Sequence, residues 1–288
     1  MAQGKKIDAD TKIGNIMRIV SIEESPFHLL PYRNVSGDRR IVRATLPFLR
    51  AKVDALPNGL DAIMATADLQ GREFPTNESA NGRLLGKHLA EHCALLAGTG
   101  MLPPLDRIGV ILAGDLYTRE LLDKRGGSGD VRQVWAAFVQ RFRWVTGVAG
   151  NHDFFGKTPS VPDFKAFLRQ PKTHFLDGHV VELDGLKIGG LSGVVGDSAR
   201  KLFRREEKVF ASEIRRLIGA PLDLLVMHDG PDAGETKRGW PSIREALEQS
   251  RPTLVIRGHA HWECPLAVLS NGTQILNADS RVVILGKA

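Results

Sequence analysis

The sequence has few cysteines and lacks long apolar runs. Cys93 and Cys264 are its only cysteines and neither lies in a Cys-x-x-Cys pair, which argues against a disulfide scaffold or a thiolate zinc site. No apolar run approaches the roughly 20 residues that a membrane-spanning helix needs. The charged first residues are not followed by the apolar region of a signal peptide. We therefore expect a cytoplasmic protein without a membrane span.

The charge is unevenly distributed along the chain. Residues 1–58 hold ten Lys or Arg and six Asp or Glu, so most of the net charge of +6 is N-terminal. Five arginines in this segment could attract phosphate, but solvated surface charge is the simpler interpretation. They are Arg33, Arg39, Arg40, Arg43 and Arg50. The charge alone therefore does not favour nucleic acid as a partner.

Strand-like and helix-like segments alternate without internal repeats. Apolar spacing predicts helices over 81–96, 131–142 and 205–218, and the strands between them favour an α/β fold. Asp184-Gly185 and Asn271-Gly272 each predict a hairpin, and 281–285 predicts a last strand. We predict one domain with two sheets over 60–288, preceded by an N-terminal appendage, 1–59, whose fold the sequence does not reveal.

Five short polar segments each follow a strand-like run. They are Asp68-Leu69-Gln70, Gly114-Asp115, Gly150-Asn151-His152-Asp153, His228 and Gly258-His259-Ala260-His261. The preceding runs cover 61–67, 107–113, 143–149, 223–227 and 253–257. In open α/β sheets, ligands gather outside the carboxyl ends of the strands, so these segments are expected to meet.

The residue types in these segments are those of a metal centre. Asp68 and Gln70 are two apart on an extended chain, so their side chains point the same way. Asp115 could bridge two cations, and such a pair can clamp both the attacking and the leaving oxygen at phosphorus. The amide of Asn151 and the imidazoles of the later segments favour transition metals over Mg or Ca. The sequence predicts a metal-dependent phosphoesterase.

In order and composition, the segments resemble the calcineurin-like metallophosphoesterase superfamily, whose blocks run DxH, GD, GNH followed by Asp or Glu, a lone His, and GHxH. The resemblance spans 68–261 and implies a four-layer α/β/β/α sandwich with two mixed sheets. It also implies two divalent transition-metal ions, Mn, Fe or Zn, of which we favour Mn. One ion would be held by Asp68, Gln70, Asp115 and His261, and the other by Asp115, Asn151, His228 and His259.

The same resemblance implies a mechanism. A metal-bridging hydroxide would attack phosphorus, and His152 would protonate the leaving oxygen while Asp153 orients the imidazole. We favour a phosphodiester as substrate because no feature restricts the chain to monoesters. Two alternatives stay open: a non-catalytic metal-binding interaction module on the same fold, and a nuclease.

The first two blocks depart from the family pattern. Gln70 stands where the family usually has His, which predicts weaker metal binding or a preference for Mn or Fe over Zn. The second block lacks the GDxxDRG form of protein phosphatases. Arg72, Tyr117 and Arg119 follow these blocks where a side chain could contact substrate phosphate.

The sequence assigns no functional role to several other polar residues. His88 and His92 are four apart on a predicted helix, but the sequence offers neither the HExxH glutamate nor an evident third ligand. The segment 126–129 is Gly-rich yet lacks the Lys-Ser/Thr of a P-loop, so we interpret it as a loop near the site. His28, His174 and His179 lie outside every block.

Overall fold

The computed structural model describes residues 17–75, 81–124, 126–156, 161–197 and 203–288. The strands in these ranges are β1 Ile19–Ile22, β2 His28–Val35, β3 Ile41–Val53, β4 Ala62–Thr66, β5 Ile108–Leu112, β6 Gly129–Asp130, β7 Trp144–Gly147, β8 Asp153–Phe154, β9 Thr173–Phe175, β10 His179–Leu183, β11 Leu186–Leu191, β12 Val194–Val195, β13 Arg204–Arg205, β14 Leu224–Met227, β15 Leu254–Arg257, β16 Leu266–Val268, β17 Gln274–Asn277 and β18 Val282–Lys287. The helices are α1 Leu85–Gly98, α2 Arg132–Val139, α3 Val161–Leu168, α4 Glu207–Ile218 and α5 Pro241–Glu248. The fold is mixed α/β, as the sequence predicts.

The first sheet has the strand order β1-β3-β18-β4-β5-β7-β9, with β2 paired to β3. The strands β4, β5, β7 and β9 run parallel, whereas β18 lies antiparallel to β4 and parallel to β3. The segment before residue 60, whose fold the sequence did not reveal, therefore supplies three strands to this sheet. The division of the chain at residue 59 stays a prediction, but the hydrogen bonding of the sheet runs across it.

The second sheet has the order β10-β11-β14-β15-β17-β16. Its four central strands are parallel, and an antiparallel hairpin closes each edge. Both predicted hairpins are confirmed. In the first, Leu183 pairs with Leu186 across Asp184 and Gly185, whose φ angles of 51° and 84° are those of a type I′ turn.

Three hydrophobic clusters join the elements. Trp135 and Leu89 of the helices α2 and α1 pack with Val110 on one face of the first sheet. A second cluster, which includes Ile63 and Ile256, lies between the two sheets. In the third, α4 and α5 pack on the other face of the second sheet, around the buried side chains of Phe210, Leu247 and Val255. Helices thus cover one face of each sheet, and the four-layer arrangement stays a prediction.

Helix α1 begins later than its periodicity predicts. The predicted helix starts at 81 and has its first apolar residue at Leu84, but Leu84 forms an isolated β-bridge with Arg72, and Glu73 donates its amide to the Arg83 carbonyl at 3.0 Å. Residues 83–84 therefore run extended against the chain after the first motif, and the helix starts at Leu85. Among the described residues, no helix is long and apolar enough to cross a membrane.

The carboxylate of Asp184 connects the two sheets. It accepts two hydrogen bonds from the Arg143 guanidinium and one from the Trp144 indole, each at 2.7 Å. Trp144 is the first residue of β7 in the first sheet and Arg143 precedes it, whereas Asp184 lies in the turn between β10 and β11. The Arg143 bonds lower the pKa of Asp184, against the smaller opposing effect of burial.

Replacing Asp184 with Asn should lower the free energy of unfolding at pH 7 by about 1.5 kcal/mol, the lower end for one charged hydrogen bond such as that from the buried Trp144 indole. Asn keeps the volume and tolerates the positive φ. Because folding lowers the pKa of Asp184, its contribution is present above the unfolded value near 3.8 and is lost as the pH falls through the folded value.

Urea denaturation of both proteins between pH 7 and pH 3 measures this difference. We expect it to shrink as the pH approaches 3. A difference that stays constant over this range would show that the Asp184 charge contributes nothing.

Candidate metal centre

The five polar segments follow the carboxyl ends of five parallel strands. These are β4, β5 and β7 of the first sheet and β14 and β15 of the second, so each of the five strands predicted before a motif is confirmed. Asp68, Asp115 and His259 have φ angles of 54°, 54° and 69°, in the left-handed region that non-glycine residues seldom adopt. Such strain, of order 1–3 kcal/mol per residue, is typical of functional sites.

Three predicted ligands form a compact group. One ligand atom each from Asp115, His228 and His259 lie within 4.8 Å of one another. His228 Nε2 is 3.4 Å from Asp115 Oδ2, and the rings of His228 and His259 are 5.0 Å apart between centroids. One carboxylate and two imidazoles thus converge on a volume the size of a metal ion, as the residue types at the strand ends predict.

Hydrogen bonding fixes the tautomer of His228. Its Nδ1 lies 2.7 Å from the Ala113 carbonyl, which can only accept, so Nδ1 carries the proton and donates. In the neutral ring the lone pair of Nε2 then faces Asp115, and a metal ion would replace the second proton that the neighbouring carboxylates favour there. Among the described residues, neither His228 Nε2 nor the buried Asn151 Oδ1 has a hydrogen-bond partner. Asn151 Oδ1 is thus a buried acceptor without a donor, and His228 Nε2 faces a carboxylate and needs either a proton or a metal ion there, so the residues fit a cation.

Burial and neighbouring charges shift the pKa values of the groups in the centre. Burial raises the pKa of Asp68 well above its usual range, and the charges of Asp279 and Asp115 raise it further. Burial alone would lower the pKa of His228, but the carboxylates of Asp115 and Asp68 raise it to about 10. Burial, together with the positive charge of His228, lowers the pKa of His259 to about 4. The buried carboxylates thus create a strong local preference for positive charge.

The remaining predicted ligands surround this group. Asp68 Oδ2 accepts a hydrogen bond from the His259 amide at 2.8 Å, and Gln70 Nε2 donates to Asp115 Oδ2 at 3.1 Å. His261 Nδ1 lies 2.9 Å from Asp279 Oδ2, and 60% of its side chain is exposed. A carboxylate that accepts a hydrogen bond from Nδ1 orients a histidine for metal binding through Nε2. Asp68 is therefore tied to the compact group through the His259 amide, and neither Asp68 nor His261 is part of that group.

Asp153 and His152 lie at the centre, but with different contacts from those expected. The buried Asp153 carboxylate accepts hydrogen bonds from the amides of Gly150, Asp115 and Leu116 at 2.8–2.9 Å. Burial, followed by the charge of Asp115, raises its pKa to about 6. Asp153 thus holds two motif loops together through their backbone. The group beside the His152 imidazole is Ser128, whose Oγ lies 3.0 Å from Nδ1.

Comparison with known proteins agrees with this arrangement. Residues 62–263 match the family described as calcineurin-like phosphoesterase. The chain belongs to this family.

Similar folds occur among solved structures. The crystal structure of TT1561 of Thermus thermophilus shares 14% sequence identity with a TM-score of 0.53, and the alignment covers 77% of this chain and 90% of that chain. A second crystal structure shares 12% identity with a TM-score of 0.50 and the same coverage. At these identities the likeness shows the fold alone. No curated protein matches this chain.

In this calcineurin-like phosphoesterase, the side chains that were expected to contact phosphate have other partners. The buried Arg72 guanidinium donates to the carbonyls of Gly82, Thr118 and Arg119 at 2.7–3.1 Å, so it joins the chain after the first motif to the chain after the second. Arg119 forms an ion pair with Asp123 at 2.9 Å. Tyr117 is half-buried, and its ring occupies the space where a side chain at Gly129 would lie.

Asp279 and Asp229 are site residues that the sequence analysis missed. Asp279 holds His261, and it follows β17 in the same way that the motif residues follow their strands, so the same rule could have found it. Asp229 accepts hydrogen bonds from the Trp240 indole at 2.7 Å and the Val195 amide at 3.1 Å. These contacts involve loops distant in sequence, and no local pattern indicates them.

Two motif glycines leave no room for a side chain. A Cβ on Gly150 would overlap the carboxylate of Asp115, and one on Gly258 would lie 2.5 Å from Asp68 Oδ2. Glycine is therefore needed at these positions for the close approach of backbone and ligand.

Replacing Gly150 with Ala should displace the Asp115 carboxylate and lower metal affinity about 10- to 100-fold, the range for disturbing groups that orient ligands. Gly286→Ala is the matched control, because nothing lies within 4 Å of a Cβ there. Calorimetric titration of Mn²⁺ into both variants measures the effect. Equal affinities would contradict the close contact at Asp115.

Replacing Gln70 with His should tighten metal binding about tenfold, or ~1.4 kcal/mol, because imidazole is the better ligand for borderline metals. Gln170→His adds an exposed histidine away from the centre and serves as the control. Calorimetric titration of Zn²⁺ into Gln70→His, the control and the wild-type protein measures the effect. Unchanged affinity in Gln70→His would mean that this side chain does not ligate.

Proposed function

We propose that this protein is a dinuclear metal-dependent hydrolase of phosphoric esters, with a preference for phosphodiesters and with Mn as the favoured metal. The observation that most strongly supports this proposal is a pair of buried side-chain atoms that lack a hydrogen-bond partner among the described residues, Asn151 Oδ1 and His228 Nε2, the second of which lies 3.4 Å from Asp115 Oδ2. Buried atoms of this kind require a cation to offset the cost of their burial.

The ligand atoms divide into two sets that share Asp115. Asp68, Gln70 and His261 would complete one site, and Asn151, His228 and His259 the other. Each Asp115 oxygen already accepts a hydrogen bond, Oδ1 from the His152 amide at 3.0 Å and Oδ2 from Gln70, so the carboxylate is held in one orientation. When bound, the two ions would polarise the phosphoryl oxygens and lower the pKa of water.

His152 would deliver a proton to the leaving oxygen. The hydrogen bond from its backbone amide to Asp115 fixes its backbone at the centre. Because Ser128 Oγ is within hydrogen-bond distance of Nδ1, Nε2 is the nitrogen available to substrate. Asp153 would act indirectly, by holding the backbone of Gly150 and Asp115 in place. This role replaces the orientation of the imidazole that the sequence analysis gave to Asp153.

The preference for diesters follows from the arginines beside the motifs. A monoester dianion carries one more negative charge than a diester and is commonly held by a free guanidinium. The Arg72 guanidinium donates to three carbonyls, and Arg119 pairs with Asp123. Since both candidates are engaged elsewhere, the singly charged diester suits this site better. Small esters, rather than nucleic acid, remain the expected substrate class.

Hydrolysis of bis-p-nitrophenyl phosphate by the Mn-loaded protein tests the proposal. His152→Ala should lower kcat about 10²- to 10⁴-fold, the usual contribution of a general acid, while the metal content stays unchanged. The control, His179→Ala, removes an exposed histidine at the start of β10 and should keep full activity. The diester should turn over faster than p-nitrophenyl phosphate.

Each failure has a distinct meaning. Equal loss of activity in both histidine variants would contradict the role of His152. Faster turnover of the monoester would contradict the diester preference. If the metal-loaded protein hydrolyses neither ester, the non-catalytic interaction module would be favoured.

A further inference from the structure

Three histidines meet on the outer side of the first sheet, away from the motif segments. His28 is the first residue of β2, and His88 and His92 lie one turn apart on α1. His28 Nε2 is 2.7 Å from His92 Nε2, and the two rings stack with centroids 4.9 Å apart. The rings of His88 and His92 are 6.0 Å apart. The third imidazole that the sequence did not reveal for the His88 and His92 pair is therefore supplied by β2.

A carboxylate orients one member of the group. His88 Nδ1 lies 3.1 Å from Glu73 Oε1, and Glu73 is held by two hydrogen bonds from Arg83 at 2.6 and 2.7 Å. These bonds lower the pKa of Glu73, so it is ionised at neutral pH. An ionised carboxylate beside Nδ1 favours the tautomer with the proton on Nδ1 and leaves the Nε2 lone pair for a ligand. This is how carboxylates commonly support metal-binding histidines.

All three imidazoles are suited to metal binding at neutral pH. Burial lowers the pKa of His28, His88 and His92, and at His92 the two other histidines lower it further. Each ring is therefore predominantly neutral at pH 7, the form that binds metals. The three side chains are only partly buried, so an ion from solvent can reach them.

We propose that His28, His88 and His92 form a second metal site, separate from the Asp115 centre, that binds Zn²⁺ or a similar borderline divalent ion, with water completing the coordination. Three imidazoles suit zinc, nickel, cobalt or copper and do not suit magnesium or calcium. The ion would connect β2 of the N-terminal segment to α1 of the fold that carries the motifs.

Metal binding requires side-chain rearrangement, because the three imidazoles do not present ligand atoms that all lie within 4.8 Å of one another. Two imidazoles on one tetrahedral zinc place their nitrogens about 3.3 Å apart, so the 2.7 Å contact must widen by about half an ångström. His88 must turn about its side-chain bonds, because two ring centroids around one zinc lie about 5 Å apart. Of His28 and His92, the ring that donates from Nε2 must move its proton to Nδ1, a change of tautomer without net loss of a proton.

Equilibrium dialysis against buffered micromolar Zn²⁺, with zinc per chain measured by elemental analysis, tests the proposal. The wild-type protein and His179→Gln should each bind one zinc more than His28→Gln and His92→Gln. Circular dichroism establishes that each variant is folded. If His92→Gln does not fold, His28→Gln, at the end of a strand, answers the same question.

A second measurement locates the ion. Zinc should slow amide hydrogen exchange in β2 of the wild-type protein at least several-fold, and this effect should be absent in His28→Gln. The loss of one zinc together with the loss of this protection supports the proposal. Equal zinc content in all four proteins, or unchanged exchange of β2, would overturn it.

Discussion

The buried carboxylate of Asp115 is the group on which the rest of the centre depends. The residue is 2% exposed and contacts Gln70, the His152 amide and His228 Nε2, so four of the five motif segments meet around one negative charge. A buried charge is costly unless it is paired. A second proton on His228 partly neutralises it, whereas a metal ion would take the place of that proton and would also satisfy Asn151 Oδ1. The centre is therefore arranged around a cation.

The scaffold holds this charge by short backbone contacts between loops of parallel strands. Asp153 binds three amides from two motif loops, and Gly150 lets the backbone approach the Asp115 carboxylate. The left-handed conformations of Asp68 and Asp115 are strained, and the surrounding sheets and hydrogen bonds must stabilise them. Stability of the sheets and geometry of the site are thus linked, since each ligand is attached directly to the end of a buried strand.

Much of this arrangement could be predicted from the sequence, because each ligand follows a short apolar run and strand ends gather at one edge. The contacts of Asp153, Ser128 and Asp229 could not be predicted, because they join loops that are separate in the sequence. The start of α1 was misplaced because Leu84 pairs with Arg72, a tertiary contact that overrides helical periodicity. The strands before residue 60 and the grouping of His28 with α1 likewise depend on long-range pairing.

The most direct test of a cation at Asp115 is anomalous X-ray diffraction from crystals grown with Mn²⁺, recorded near the manganese absorption edge. We expect two anomalous peaks that share the Asp115 carboxylate, one beside His228 and His259 and the other beside Asp68 and His261. A single peak beside Asp115 would restrict the centre to one metal. No peak at Asp115, with manganese present in the crystal, would contradict the account.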